Sequence, residues 1–208
     1  MRPNTQHAYD HVAGIYFPIA AAVFVAVVIA LGALLVLGAR RRTPGRRREA
    51  NGLEAVYAVL LAATVGVLVW VTFTAESPID RLVPRPAVRI RVIAAQWSWT
   101  FEYANGARVH AVSTWAPPVA VLPAREEIQF DATSRDVIHG FWVPGLHYLR
   151  QVFPGHTTTF DLLFARPGRY QGACAVYCGE LHSQMLFAIR AVSPPAFRRW
   201  LARHRRSR

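Results

Sequence analysis

The apolar residues along this chain fall into two regimes. Ile15 to Gly38 runs for 24 residues without an ionisable side chain, and at about 1.5 Å per residue it outreaches a hydrocarbon core of about 30 Å. Leu53 to Thr74 is a second such stretch, interrupted only by Glu54 near its start. The pattern predicts a two-helix membrane hairpin over residues 15–75. From Ser77 on the period changes. Val88, Ile90 and Val92 alternate with Arg89 and Arg91, the period-two signature of a strand. The run Gln96-Trp97-Ser98-Trp99-Thr100-Phe101-Glu102-Tyr103 continues in β-favouring residues and stops at Asn105-Gly106, a hairpin turn signal. Further strands fit Glu127 to Asp131, Thr157 to Phe164 and Met185 to Val192, with Pro154-Gly155 and Pro167-Gly168 marking turns. Several short strands over about 120 residues predict an all-β sandwich. At the end, Phe197, Trp200, Leu201 and His204 recur at helical spacing among arginines, which fits a short basic amphipathic helix touching anionic headgroups, or a frayed tail.

Charge orients the hairpin. Arg40, Arg41, Arg42, Arg46, Arg47 and Arg48 crowd between the two apolar stretches, whereas Arg2 alone precedes the first. The positive-inside rule puts the loop 39–52 in the cytoplasm, and residues 1–14 and everything after about Glu76 outside. A cleaved signal peptide is the alternative for the first stretch. However, its leader carries Asp10 beside Arg2, and an Arg cluster follows where small residues would mark cleavage. A short loop pinned between two spans is a poor nucleic-acid arm, so no nucleic-acid partner is expected. The domain plan is then an outer segment 1–14, the hairpin 15–75, a sandwich 76–195 and a basic tail 196–208. With 208 residues, 53% apolar and only 17% charged, the chain is neither disordered nor collagen-like, and it has room for one compact domain beside the spans. Every basic residue is Arg and none is Lys, a bias of the source composition before it is a functional choice.

The chemistry sits in one window. Cys174-Ala-Val-Tyr-Cys178-Gly-Glu-Leu-His182-Ser-Gln-Met185 holds both cysteines, and His139 lies upstream in Asp136-Val-Ile-His139. Two thiolates, two imidazoles and a thioether make a soft ligand set suited to copper. A mononuclear blue-copper site needs one Cys, so the second is surplus unless it bridges a second metal. A disulfide is the alternative in an oxidising compartment, but three intervening residues give little loop-closure stabilisation. Structural zinc sites do not recruit Met. His110, His147, His156 and His204 lack such company and read as surface or packing residues.

The hairpin, the aromatic run, Asp136-Val-Ile-His139 and the Cys-x-x-x-Cys-Gly-x-x-His-x-x-Met window together resemble subunit II of cytochrome c oxidase, in order and over nearly the whole chain. The resemblance implies a cupredoxin domain with the dinuclear copper centre CuA. Cys174 and Cys178 would bridge both coppers, His139 and His182 would each bind one, Met185 would be a weak ligand, and the Val176 backbone carbonyl would supply the remaining contact. Electrons would arrive from cytochrome c at Trp97 and pass to the haem and copper of subunit I, which reduces oxygen in a proton-translocating complex that also includes subunit III. Location in a bacterial plasma membrane, with the soluble domain outside, is implied as well.

Glu54 falls where the family has a carboxylate at a proton-uptake path, although the aromatic, hydroxyl and Pro positions that follow are Tyr57, Ala58 and Leu61 here. The family's Glu between the cysteines, which reaches a magnesium at the subunit I interface, is Val176, so the resemblance does not extend to that contact. No Cys-x-x-Cys-His haem motif is present in these 208 residues, so an external donor is expected. Eight acids stand against 17 Arg from Ser77 onward. That balance points to a less basic cytochrome or a differently charged carrier as donor, even though Glu126, Glu127, Asp131 and Asp136 would form a local acidic patch. The alternatives are a copper-free quinol-oxidase scaffold, the electron-accepting subunit of a nitric oxide reductase, and a membrane-anchored copper carrier or thiol redox protein. The second cysteine and the aromatic run argue against the scaffold and the carrier.

Overall fold

A computed structural model describes residues 5–40, 51–112 and 116–204. The chain divides into two compact units, one formed by His7–Ser77 and the other with its body in Pro78–Arg208.

The first unit is helical, with α1 (Thr5–Arg40) and α2 (Asn51–Asp80). Within them Ala8–Ala33 and Glu54–Ala75 are long and apolar enough to cross a membrane. Phe17, Phe24, Trp70 and Phe73 stand exposed on these helices. Such all-round apolarity suits lipid or partner helices rather than water. Tyr16 ties the two together: its hydroxyl donates to the Leu68 carbonyl at 3.0 Å and pairs with the Thr72 hydroxyl. Arg41, Arg42 and Arg46 to Arg48, and with them most of the basic loop, lie outside the described residues.

The second unit is a sandwich of two five-stranded sheets. Its strands are β1 (Val88–Ala95), β2 (Ser98–Tyr103), β3 (Arg108–Val112), β4 (Val119–Pro123), β5 (Glu127–Ser134), β6 (His139–Val143), β7 (Tyr148–Val152), β8 (Thr158–Leu163), β9 (Gly168–Cys174) and β10 (Leu186–Val192). One sheet runs β3-β2-β1-β5-β8 and the other β4-β10-β9-β6-β7. The pairs β1·β5 and β4·β10 are parallel; the remaining pairs are antiparallel.

The aromatic run supplies much of the core. On β2, Trp99, Phe101 and Tyr103 are buried on one face; on the other, Ser98 and Glu102 are half-buried and Thr100 is buried, its hydroxyl paired with His110 Nδ1 at 2.8 Å. From the opposite sheet Phe141 and Phe187 meet Trp99 edge-on, with ring centroids 5.8 and 5.2 Å away. The Tyr103 hydroxyl donates to the Val121 carbonyl at 3.0 Å and accepts the Val121 amide at 2.9 Å, joining the sheets; burial raises its pKa.

The sequence reading needs correction in two places. The aromatic run does not extend β1: the chain reverses at Gln96–Trp97, and Ala95 pairs with Ser98. The C-terminal segment forms the helix that its spacing predicts, α3 (Pro194–Arg203), but its apolar side faces protein: Phe197 is buried in the sandwich core and Trp200 packs on Tyr103 at 4.9 Å. Its apolar face is thus occupied by the domain itself.

Candidate metal centre

The sheet of β6, β9 and β10 brings the candidate ligands together at one end of the sandwich. His139 opens β6 and Cys174 closes β9. The chain then loops through Val176 and Cys178, makes a helical turn at His182–Gln184 and reaches Met185 just before β10. The loop is pinned where it leaves the sheet. The Cys174 amide donates to the Met185 carbonyl at 2.9 Å, and the Ala175 amide to the Gly140 carbonyl at 3.1 Å. Gly140 is required by close approach, because a β-carbon there would lie 2.9 Å from the Val176 nitrogen and 3.0 Å from Ala175 backbone atoms.

The two sulfurs are 3.7 Å apart, and both cysteines are free thiols, so no disulfide joins them. His139 Nδ1 lies 3.8 Å from the Cys174 sulfur, and His182 Nδ1 lies 3.5 Å from the Cys178 sulfur. The Met185 sulfur is 3.7 Å from Cys178, and the Val176 carbonyl oxygen is 3.2 Å from Cys174. The ligand atoms of His139, Cys174 and Cys178 all fall within 4.8 Å of one another. His139 and Met185 are fully buried. Soft sulfur and imidazole donors converging on so small a volume, with a thioether and a carbonyl on its edge, fit copper.

Electrostatics prepare the cluster. His139 Nε2 lies 2.9 Å from the Asp136 carboxylate. That contact directs the ring's N–H to the carboxylate and leaves the Nδ1 lone pair facing the sulfurs. Burial alone would lower the His139 pKa, but Cys174 and Asp136 outweigh it and raise it. Burial would raise Asp136, yet hydrogen bonds from the Gln96 amide, His139 and the Val137 amide bring it below the usual carboxylate value. The thiols are driven apart. Burial opposes ionisation of Cys174, but hydrogen bonding with His139 and the hydrogen bond from the Gly140 amide bring it down to about 6. Burial and then the neighbouring Cys174 charge push Cys178 up to about 12.

The other sequence candidates fall as follows. Trp97 is half-buried on the β1–β2 turn, and a β-carbon on Gly179 would lie 3.2 Å from its ring. Glu54 stands exposed in the first turn of α2, in the helical unit, where a carboxylate complements the helix dipole. The four acids read as a patch are strung along β5, Glu126 and Glu127 at one end and Asp136 beyond the other. Asp131 between them accepts the Thr159 hydroxyl at 2.8 Å. Sequence reasoning gave Gln96, Gly140 and Gly179 no role at the site. Only their positions beside Trp97, His139 and Cys178 signal one.

Two β-sheets packed face to face define a cupredoxin-like domain, and the two Cys, two His and a Met gathered at one end form a candidate metal site. The family model for the periplasmic domain of cytochrome c oxidase subunit II matches residues 117–192. The probable cytochrome c oxidase subunit 2 of Streptomyces avermitilis is 32% identical over 196 residues, covering 76% of this chain and 61% of that protein. Cytochrome c oxidase subunit 2 of Kluyveromyces lactis is 31% identical over 174 residues, covering 74% and 70% respectively. Among solved structures, the periplasmic domain of subunit II of cytochrome oxidase from Bradyrhizobium japonicum superposes with a TM-score of 0.54 at 26% identity, covering 59% of this chain and 96% of that one. The chain belongs to the cytochrome c oxidase subunit II family. It spans 61% of the length of the Streptomyces relatives.

Proposed function

We propose that this chain is the electron-accepting subunit of a respiratory haem-copper oxidase. It takes single electrons from a c-type cytochrome at a dinuclear copper centre and delivers them to subunit I, where oxygen is reduced to water. The observation that carries this reading is the pair of sulfurs 3.7 Å apart, each flanked by a different imidazole nitrogen at 3.8 and 3.5 Å. One thiolate with two imidazoles suffices for a single copper; a second thiolate with its own imidazole supplies a second.

On this reading Cys174, Cys178, His139 and His182 would hold the two coppers, with Met185 and the Val176 carbonyl completing the set. When bound, the copper pair supplies a one-electron store whose charge change is shared over two metals and two sulfurs. The residues of the chain do the rest. The sandwich excludes water from His139 and Met185, Asp136 orients the His139 ring, and the Gly140 amide donates to the Cys174 sulfur at 3.4 Å. Rigid support of this kind keeps the ligands in place whatever the charge of the site. Trp97 receives the electron. Val176 has no carboxylate to offer a magnesium ion.

The helices at 15–75 are read as a hairpin in the bacterial plasma membrane with the loop 39–52 in the cytoplasm. That puts residues 1–14, the sandwich 76–195 and the tail 196–208 on the outer side, with subunits I and III as neighbours. Glu54 then stands on the inner side, at the mouth of a proton path into subunit I. Copper content tests the reading. The full chain purified in detergent is expected to hold two coppers and to lose both on Cys174→Ser or Cys178→Ser. A single copper, or none with Cys174 and Cys178 oxidised to a disulfide, would overturn it.

A further inference from the structure

The turn that carries Trp97 and the loops that carry the metal ligands meet through two side chains. Asp136 uses both carboxylate oxygens. Oδ1 lies 2.9 Å from His139 Nε2, and Oδ2 accepts the Gln96 amide at 2.7 Å. Gln96 in turn donates its side-chain Nε2 to the Cys178 carbonyl at 2.7 Å. Beside this contact Gly179 adopts φ +116, and a β-carbon there would lie 3.1 Å from Gln96 Nε2 and 3.2 Å from Trp97. The Trp97 indole N–H is buried with no hydrogen-bond partner in the described structure. What positions the ring is therefore the turn beneath it.

We propose that Asp136 and Gln96 are positioning residues that lock the electron-receiving turn to the metal ligands as one rigid unit. The inference rests on the copper reading above for its purpose, but the lock itself is a property of the polypeptide. Asp136 spans from the ligand His139 to the residue preceding Trp97, and Gln96 spans from that turn to the ligand Cys178. From the Gln96–Trp97 peptide to the Cys178 sulfur the connection is unbroken: a side chain, one hydrogen bond, then the cysteine's own bonds. A displacement of the turn is thus felt at both ligands, and a loose ligand loosens the turn. Outer-shell groups of this kind commonly change metal affinity or activity by about 10- to 100-fold when replaced.

Asp136→Asn is the informative variant. One of its two side-chain atoms becomes an N–H donor, so it can accept from His139 or from Gln96 but not from both. In the copper-free full chain, nitrogen NMR of the His139 ring is expected to give one tautomer, with the proton on Nε2, and Asp136→Asn to give a mixture. In the native chain the Gln96 amide, although on an exposed turn residue, is expected to resist hydrogen exchange; this measurement needs no variant to fold. With copper bound, Asp136→Asn is expected to weaken copper affinity by about tenfold or more, and Asp136→Glu, which keeps both acceptors, to recover part of the loss. Gln96→Ala is expected to slow reduction by a cytochrome c more than reduction by dithionite, which needs no docking at Trp97.

Free exchange of the Gln96 amide in the native chain, or an Asp136→Asn chain in which the His139 tautomer and the Gln96 amide protection are both unchanged, would overturn the proposal. Equal slowing by both reductants in Gln96→Ala would do the same. Should the native chain bind no copper, the copper reading fails while the tautomer and exchange measurements still decide the lock.

Discussion

Gly140 lies so close to Val176 that a β-carbon on the glycine would stand 2.9 Å from the valine nitrogen. Strand β6 thereby supports the ligand loop through backbone, and neither side can yield by a rotamer change. Gly140→Ala is expected to push the loop outward, destabilise the domain by about 1–3 kcal/mol and weaken copper retention. Thermal unfolding and competition with a copper chelator check both. A variant as stable and as retentive as the native chain would mean the loop is not held there.

A second close approach lies deeper. A β-carbon on Gly172 would fall 2.2 Å from the Phe187 ring, which itself stacks on Phe141 with centroids 4.6 Å apart. Gly172→Ala is expected to cost about 1–3 kcal/mol by overpacking. Adding Phe187→Leu should cost less than the sum of the two single changes, because it vacates the contested space. Strictly additive losses in denaturant unfolding would contradict this.

The copper-free thiols should titrate far apart. Cys174, held down at about 6 against its burial by His139 and Gly140, contributes stability above the ordinary thiol range that is lost as pH falls through about 6. Cys178 has the opposite sign, since burial and the Cys174 charge favour its neutral form and oppose folding as pH rises toward about 12. Thiolate absorbance is expected to develop in two separated steps belonging to the pair. A single step near the ordinary value of about 8.5 would contradict it.

Donor turnover should depend only shallowly on salt. Acids are outnumbered, eight against 17 Arg from Ser77 onward, and Glu126, Glu127, Asp131 and Asp136 are spread along β5 rather than gathered, with Asp136 committed to His139 and Gln96, an arrangement that gives weak attraction to a basic cytochrome. Steady-state oxidation of cytochrome c across a salt series checks this, and a steep fall with added salt would count against it.

The sandwich was legible where one face is buried and the residues alternate. In β1, β2 and β5 the pattern of Ile90, Val92, Trp99, Phe101, Ile128 and Phe130 is plain, and these are core residues. It was not legible in β9, where the core-facing position is Gly172 because the Phe187 ring fills the space a side chain would take. Nor was it legible in β6, where Gly140 serves a close approach. The turn at Gln96–Trp97 has none of the Gly, Asn or Pro that usually mark one; contacts from Asp136 and to Cys178 stabilise it instead. The candidate ligands stood out by type and spacing, since Cys, His and Met rarely cluster without cause. Their support did not, because Asp136, Gln96 and Gly140 act through contacts that sequence separation hides.

The electron paramagnetic resonance spectrum of the oxidised, copper-loaded full chain tests the central claim most directly. One electron shared equally between two copper nuclei of spin 3/2 gives seven hyperfine lines, and one electron on a single copper gives four. The proposed centre predicts seven lines, lost on Cys174→Ser or Cys178→Ser. Four lines from the native chain would contradict a shared dinuclear centre and leave the second cysteine without the role assigned to it.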